Sequence, residues 1–423
     1  MTTTAPERPS ADARPTETTA PHSAPRLAPI LLGTLALLTA IAPFATDLYL
    51  PAFPQMTAAL GASESAVQLS LTAFLVGAGA GQLVFGPLSD RLGRRMPLLV
   101  GVAVFLVSSI GVALAPSIPW LVAGRLVQGL AGAAGMVLAR AIIADRAHGA
   151  EAARAMTLMM MVGGIAPIVA PFVGSVLAGS IGWRGLLWIV AGIGAIAALA
   201  VVRVVPETHD PAAASSARTP WRTEVASLLR SRTYTGITVA FAMGFGTMMA
   251  YISASPFLYQ ELMGLSTVAY GVAFAVNALA LMIVSAVAAK LTEKVPAGRL
   301  AALGLIINAV GVALVAALAF TGAPALWIAP ALLLTVAPLG LVFGTTTALA
   351  LDAAAHAPGT GSGLLGMLQF VLAGAVAPLV SLGGEASAVP LAIVMLVCTV
   401  GANVALQLGL AGTRDDAPAE SAH

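Results

Sequence analysis

About a dozen apolar runs, each of roughly 20 residues, alternate with short polar turns, and a run of that length is what an α-helix needs to cross the hydrocarbon core of a bilayer. The runs fall at 27–47, 66–87, 96–115, 118–144, 154–179, 185–205, 235–257, 265–290, 298–320, 323–349, 360–382 and 388–411. Only 9% of the residues are charged and 59% are hydrophobic, whereas soluble domains carry about 25% charged residues. An all-α polytopic membrane protein is the class that fits. The net charge of +2 is too small and too scattered to serve nucleic acid. The single cysteine, Cys398, lies in an apolar run, which excludes a disulfide framework and a thiolate metal site within one chain.

Residues 1–26 are rich in Thr, Pro and Ala with scattered charges, a composition expected to be disordered. The apolar run from Leu27 exceeds the roughly 7–15 residues of a signal-peptide core and continues into a proline-containing segment, so it reads as the first membrane helix. The best internal break is 206–234, opened by Pro206-Glu207-Thr208-His209-Asp210-Pro211 and containing Trp221–Arg230, a short amphipathic helix suited to a membrane surface. The expected organisation is thus a bundle over 27–205, a linker over 206–234, a second bundle over 235–411 and a polar tail over 412–423. With the N-terminus placed in the cytoplasm, all of the 20 Lys and Arg residues except Arg125, Arg140 and Arg184 fall in cytoplasmic segments. That asymmetry is the one the positive-inside rule predicts, with both termini cytoplasmic.

The turn Gly86-Pro87-Leu88-Ser89-Asp90-Arg91-Leu92-Gly93-Arg94-Arg95 holds more glycine, aspartate and arginine than a linker requires. It closely resembles the G-x-x-x-D-R-x-G-R-R loop between helices 2 and 3 of the major facilitator superfamily, with Gly86, Asp90, Arg91, Gly93, Arg94 and Arg95 in the patterned positions. The resemblance implies two six-helix bundles around a central cavity. The loop Lys290–Arg299 keeps an acid, a glycine and basic residues, as a degenerate copy in the second half would. Arg125-Leu126-Val127-Gln128-Gly129 looks like the family's R-x-x-Q-G pattern of helix 4, associated there with proton coupling. Gly129, with Gly132 and Gly135, also has the spacing that lets helices pack closely. In Gly163–Ser175, Pro167, Pro171 and Gly174 resemble the antiporter motif of drug exporters in its A-P-x-x-A-P-x-x-G form; a simple packing kink is the other reading. That form, together with Asp47–Pro54 and Tyr251–Phe257, looks like the bicyclomycin-resistance (Bcr/CflA) branch.

An ionisable group inside a bilayer is costly and hence a functional candidate. Glu64, Glu261 and Glu385 fall in external turns, Asp145 and Asp352 at helix ends, and the remaining acids in cytoplasmic segments, which leaves Asp47 at membrane depth. Asp47 ends the first helix, and Arg125 stands about 10 Å into the fourth at 1.5 Å per residue. The two charges can therefore lie at similar depths around one cavity, with Asp47 as proton carrier and Arg125 favouring its ionised form. The plainer alternatives are an exposed helix-end acid and a structural arginine satisfying backbone carbonyls. Gln68, Asn277, Asn308 and Gln369 suit a cavity wall or interhelical hydrogen bonds. Asp90 is placed to accept hydrogen bonds from the start of helix 11, near Gly359–Ser362.

None of the five histidines is paired with a nucleophile or a ligand set, and no phosphate loop of the G-x-x-x-x-G-K-[ST] type occurs. An enzyme and an ATP-driven pump are therefore disfavoured, and no cofactor is expected beyond a proton gradient as energy source. The expectation is a monomeric inner-membrane antiporter that exports drug-like amphipathic small molecules against protons. A carrier of a small metabolite on the same fold is the alternative.

Overall fold

The computed structural model describes residues 28–147, 149–209, 221–381 and 387–415. The expected disorder of 1–26, the middle of the linker, Glu385 and the last residues of the tail lie outside them. All regular structure among the described residues is helical. The first half comprises α1 (Pro29–Asp47), a 3-10 turn (Leu50–Ala52) with a short α2 (Phe53–Leu60), α3 (Glu64–Leu92), α4 (Arg95–Ala113), α5 (Ile118–Arg146) and α6 (Gly149–Val204). A linker helix α7 (Trp221–Arg230) follows. The second half comprises α8 (Arg232–Phe257), a π turn (Leu258–Leu262), α9 (Thr267–Leu291), α10 (Ala297–Thr321), α11 (Ile328–Val336), α12 (Leu339–Ala353), α13 (Pro358–Val376) and α14 (Val389–Asp415).

Among the described residues, eleven helical stretches are long and apolar enough to cross a membrane. One, Arg154–Val204, is 51 residues long, far more than one crossing needs, and it breaks at Gly182, whose φ of 65° takes its backbone out of the helix. Counting its two arms separately gives the expected twelve crossings. α11 and α12 together form another crossing, Ala325–Ala353. Because the crossings alternate in direction, the loop between α3 and α4, the ends of α5 and α6 and the turn Lys290–Arg299 share one end of the bundle, called here the basic end.

In lipid, apolar helices gain little from leaving one kind of hydrocarbon for another, so their association depends on close packing. Glycine supplies it along α3 and α5. A side chain at Gly77 would strike the backbone of Leu126 and Leu130, and one at Gly129 would strike the backbone of Phe74. At Gly81 it would meet the Leu130 carbonyl and Ala133. In the second half Gly236 lies against Gly409, Gly311 against Leu334 and Thr335, and Gly340 against Leu281 and Ser285. The halves meet along α3–α13 and α6–α9. Gly366 there faces the Gln82 carboxamide, Gly374 faces Val76 and Thr72, and Gly271 faces Ser175.

Away from the basic end, hydrogen bonds join the first half to the second. Gln68 Nε2 donates to the Ser253 carbonyl at 3.1 Å and Gln260 Nε2 to the Pro51 carbonyl at 3.0 Å. The Phe53 and Phe257 rings meet beside them, their centroids 6.0 Å apart.

The close approach at Gly129 makes a testable demand. Gly129→Leu overpacks a backbone-to-backbone contact and should cost at least the roughly 1–3 kcal/mol typical of overpacked cores, seen as loss of monodisperse protein after detergent extraction. Gly33→Leu, at a surface position with open space around it, should leave the yield unchanged. Equal yields of the two variants would reject the glycine seam.

Candidate functional site

Three places carry the polar chemistry: the turn at the basic end, a buried arginine between α3, α4 and α5, and the far end of α1. At the basic end Arg94 is the hub. Its Nη1 donates to Asp90 Oδ1 and Ser89 Oγ, each at 2.7 Å, and its Nε donates to Asp145 Oδ2 at 2.9 Å. Asp145 also accepts from Thr208 Oγ1 at 3.0 Å. Gly93 carries a φ of 84°, a left-handed conformation that favours glycine. The Glu207 carboxylate fills the space where a Gly93 side chain would stand.

Glu207 caps the start of α4. It accepts the backbone N–H of Arg94 at 2.7 Å and of Arg95 at 3.1 Å, and those of Thr208 at 2.9 Å and His209 at 3.2 Å. A carboxylate at a helix N-terminus satisfies donors that have no partner within the helix. Burial alone would raise its pKa, but the four N–H groups outweigh that and hold it below the usual carboxylate range. Arg95 also reaches the Val202 carbonyl at 3.3 Å, Arg91 is exposed, and Gly86 gives its carbonyl to Ser89 Oγ. The motif residues Gly86, Asp90, Gly93, Arg94 and Arg95 thus join α3, α4, α5 and the end of α6. Glu207, Asp145 and Thr208 complete the cluster. The sequence reading placed Glu207 and Asp145 at this end without a role.

The start of α13, the partner foreseen for Asp90, is met by the linker helix: Thr360 Oγ1 donates to Glu224, and Ser227 Oγ lies 3.0 Å from His356 Nε2. The ion pair of Asp90 is with Arg94.

Arg125 is fully buried. Its guanidinium lies between two aromatic faces, 4.6 Å from the Tyr49 ring centre and 4.5 Å from that of Phe74. Such contacts are worth about 2 kcal/mol each when desolvated. Nη1 donates to Gln128 Oε1 at 2.6 Å; Gln128 Nε2 donates to Ser109 Oγ at 2.7 Å, and Ser109 to the Phe105 carbonyl at 2.6 Å. Nε and Nη2 have no partner. The guanidinium is thus met by the Gln128 side chain and two aromatic rings. Gln128 holds the guanidinium in place, and Gly129 lets Phe74 reach it.

Asp47, the last residue of α1, is also buried, so it is not an exposed helix-end acid. It lies within electrostatic range of Arg125 and of Tyr270 on α9. Asp47 and Arg125 do not form an ion pair: among the described residues the ion pairs are Arg94–Asp90 and Arg94–Asp145. Glu64, expected at an external turn, is the first residue of α3 beside that turn, and it is buried. Glu64 lines a small crevice between the halves with Gln68, Phe257 and Leu258.

In α6, Pro167 and Pro171 each remove a backbone donor. A side chain at Gly174 would strike the Leu48 carbonyl and Pro51. Gly174 therefore seats α6 against the segment that follows Asp47, which unites the helix 5 motif with the acid.

The model of the Major Facilitator Superfamily matches residues 35–378. A Bacillus subtilis protein called an uncharacterized MFS-type transporter, YdgK, is 35% identical over 374 residues, covering 88% of this chain and 92% of its own. A bicyclomycin resistance protein homolog of Haemophilus influenzae is 27% identical, over 88% and 94% of the two chains. The crystal structure of the nucleoside transporter NupG shares the fold, with a TM-score of 0.70 over 90% of this chain and 99% of that one, at 15% identity.

The cap on α4 sets a pH dependence. A carboxyl held below its usual range in the fold contributes stability that is complete above the unfolded value, about 4.3 for glutamate, and is lost as pH falls through the lower folded value. Glu207→Gln should therefore lower the thermal midpoint at neutral pH and flatten its fall on acidification. Thermal melts of both proteins across that range check it; parallel curves would reject the cap.

Proposed function

The chain belongs to the major facilitator superfamily and is a membrane transporter, and from that premise we propose that it exports drugs or similar amphipathic small molecules in exchange for protons. The observation that carries this reading is that Asp47 and Arg125 are both buried and within electrostatic range of each other, with Arg125 Nε and Nη2 free of hydrogen-bond partners. A proton carrier needs a carboxyl that is neutral in one state of the cycle and charged in another. Burial favours the neutral form and a nearby cation the charged one, so a change in the distance or hydration between Asp47 and Arg125 moves the proton. Asp47 takes its proton from outside and releases it inside as the halves rock. The free Nε and Nη2 of Arg125 stabilise the carboxylate once it forms. Support for a drug as cargo comes from the relative named for bicyclomycin resistance.

The basic end faces the cytoplasm and the protein works as a monomer in the inner membrane. The arginines of the α3–α4 turn and of the α5 and α6 ends give that orientation its charge bias.

Two measurements test this reading. In proteoliposomes, Asp47→Asn should abolish drug-induced proton movement, because the carrier is fixed in its neutral form. Arg125→Ala should slow proton release by about tenfold or more, the effect of losing roughly one pKa unit of charge stabilisation. Wild-type coupling in Asp47→Asn would overturn the assignment. For orientation, reporter fusions after Thr208 and after Gly412 should give cytoplasmic signals, and a periplasmic signal at either would reverse it.

A further inference from the structure

At the end of the bundle away from the basic end, the seam between the halves closes over a carboxyl. Glu64 opens α3, and only 7% of it is exposed. The crevice it lines has about 30 Å³ of free space, room for a water molecule. Glu64 and Gln68 form the α3 side of the crevice, and Phe257, Leu258, Leu262 and Leu391 face them from the second half. Glu64 and Phe257 also line a wider hollow of about 420 Å³, which reaches the surface at the exposed Gly61 and Glu261. Glu64 thus stands between the surrounding solution and the seam.

Gln68, one helical turn further along α3, is buried as well. Its Nε2 donates across the seam to the Ser253 carbonyl at 3.1 Å, and its Oε1 has no hydrogen-bond partner. An amide oxygen and a carboxylate can both only accept, so an ionised Glu64 has nothing to give Gln68 Oε1. A protonated Glu64, four residues away on the same helix face, brings the O–H that this oxygen lacks. Charge acts in the same direction. Among the described residues no lysine or arginine lines the crevice or the hollow, and the other charged residue there is Glu261, from the second half. Taking a carboxylate out of water and setting it near a second acid favours its neutral form. The start of α3 favours the ionised form, but it does so with the halves together or apart. The crevice therefore makes the difference between the two states.

We propose that Glu64 is a proton-operated clasp on this seam: with its carboxyl protonated the halves close over it as they do here, and loss of that proton to the outer solution frees them to part. The inference rests on the transporter reading and on the orientation given above, in which this end faces outside. Proton uptake and closing are one linked equilibrium, so the factor by which closing tightens the hold of Glu64 on its proton is the factor by which the proton favours closing. A deprotonated Glu64 draws water into the crevice beside the Gln68–Ser253 hydrogen bond and the Phe53–Phe257 contact. In an exporter, acid outside then closes this end behind the departed cargo, a step that Asp47 does not have to drive alone.

The test is a distance measurement at equilibrium, without cargo or gradient, on the full chain in lipid nanodiscs. Spin labels are attached through Ala59→Cys on α2 and Val268→Cys on α9, both exposed positions, in a Cys398→Ala background. Between about pH 4 and pH 8, a range that starts near the ordinary glutamate value, the separated form should rise against the closed form. The expected rise is about tenfold or more, as a tenfold difference in proton affinity between the two states requires. Glu64→Gln cannot ionise and should stay closed throughout, whereas Glu64→Asp should keep a pH response. Glu64→Ala should be equally indifferent to pH, and it carries the test if Glu64→Gln does not fold. A wild-type separation that does not change with pH, or a response of wild-type size in Glu64→Gln, would overturn the clasp. Nanodiscs expose both faces to one solution, so the result does not depend on which end faces the cytoplasm. Loss of drug-linked proton movement with this response intact would count against proton antiport alone.

Discussion

The α3–α5 seam is the contact on which the polar interior depends. Lipid tails are as apolar as leucine, so these helices hold together only where their backbones can touch, and Gly77, Gly81 and Gly129 permit that. Contact of Gly129 with the Phe74 backbone also decides where the Phe74 ring goes, and that ring forms one face of the enclosure around Arg125. Tyr49 forms the other face, held by its hydroxyl 2.9 Å from Ser70 on α3. Burying a guanidinium is expensive, and the enclosure offsets the cost with ring faces and Gln128 rather than with a counter-ion. The arrangement leaves part of the charge unspent for Asp47 or for a ligand.

The basic end solves a different problem, holding four helix ends together where the apolar runs stop. A single arginine, Arg94, is bonded to residues of α3 and α5, while Glu207 fastens the end of α6 to the start of α4. Among the described residues the turn Lys290–Arg299 of the second half shows no ion pair. The linker helix meets the second half through Leu228, which packs among Tyr234, Ile237, Ala354 and Ala357, and through the Glu224–Thr360 and Ser227–His356 hydrogen bonds. The charged cluster thus joins four helix ends of the first half, and the linker helix packs on the second.

Much of the fold was legible because bilayer thickness sets the length of every crossing: the twelve runs, the break near residue 206 and the amphipathic Trp221–Arg230 all follow from it. The break at Gly182 was visible as a turn between two runs, and the structure carries it through with almost no loop. Site residues were legible in proportion to their charge. Asp47, Arg125 and the Asp90–Arg95 turn stand out in a chain that is only 9% charged. Glu207 did not, because an acid in a polar linker looks like any other until the N-terminus of α4 is seen in front of it. The burial of Glu64 was not legible either, because a first-turn acid beside the N-cap Ser63 has an ordinary surface sequence, and the crevice it lines is closed by residues of the second half.

The polar groups are divided unequally between the halves, and the division bears on coupling. The first half brings the charges, Asp47 and Arg125; the buried polar side chains of the second half are neutral among the described residues. A carboxylate enclosed against a neutral wall prefers to keep its proton. Among the ties at the end away from the basic end are those of Gln68 to the Ser253 carbonyl and Gln260 to the Pro51 carbonyl, and the Phe53–Phe257 contact. Parting the halves here would break those two hydrogen bonds and the Phe53–Phe257 contact together, so the groups at this end are held or released as one set.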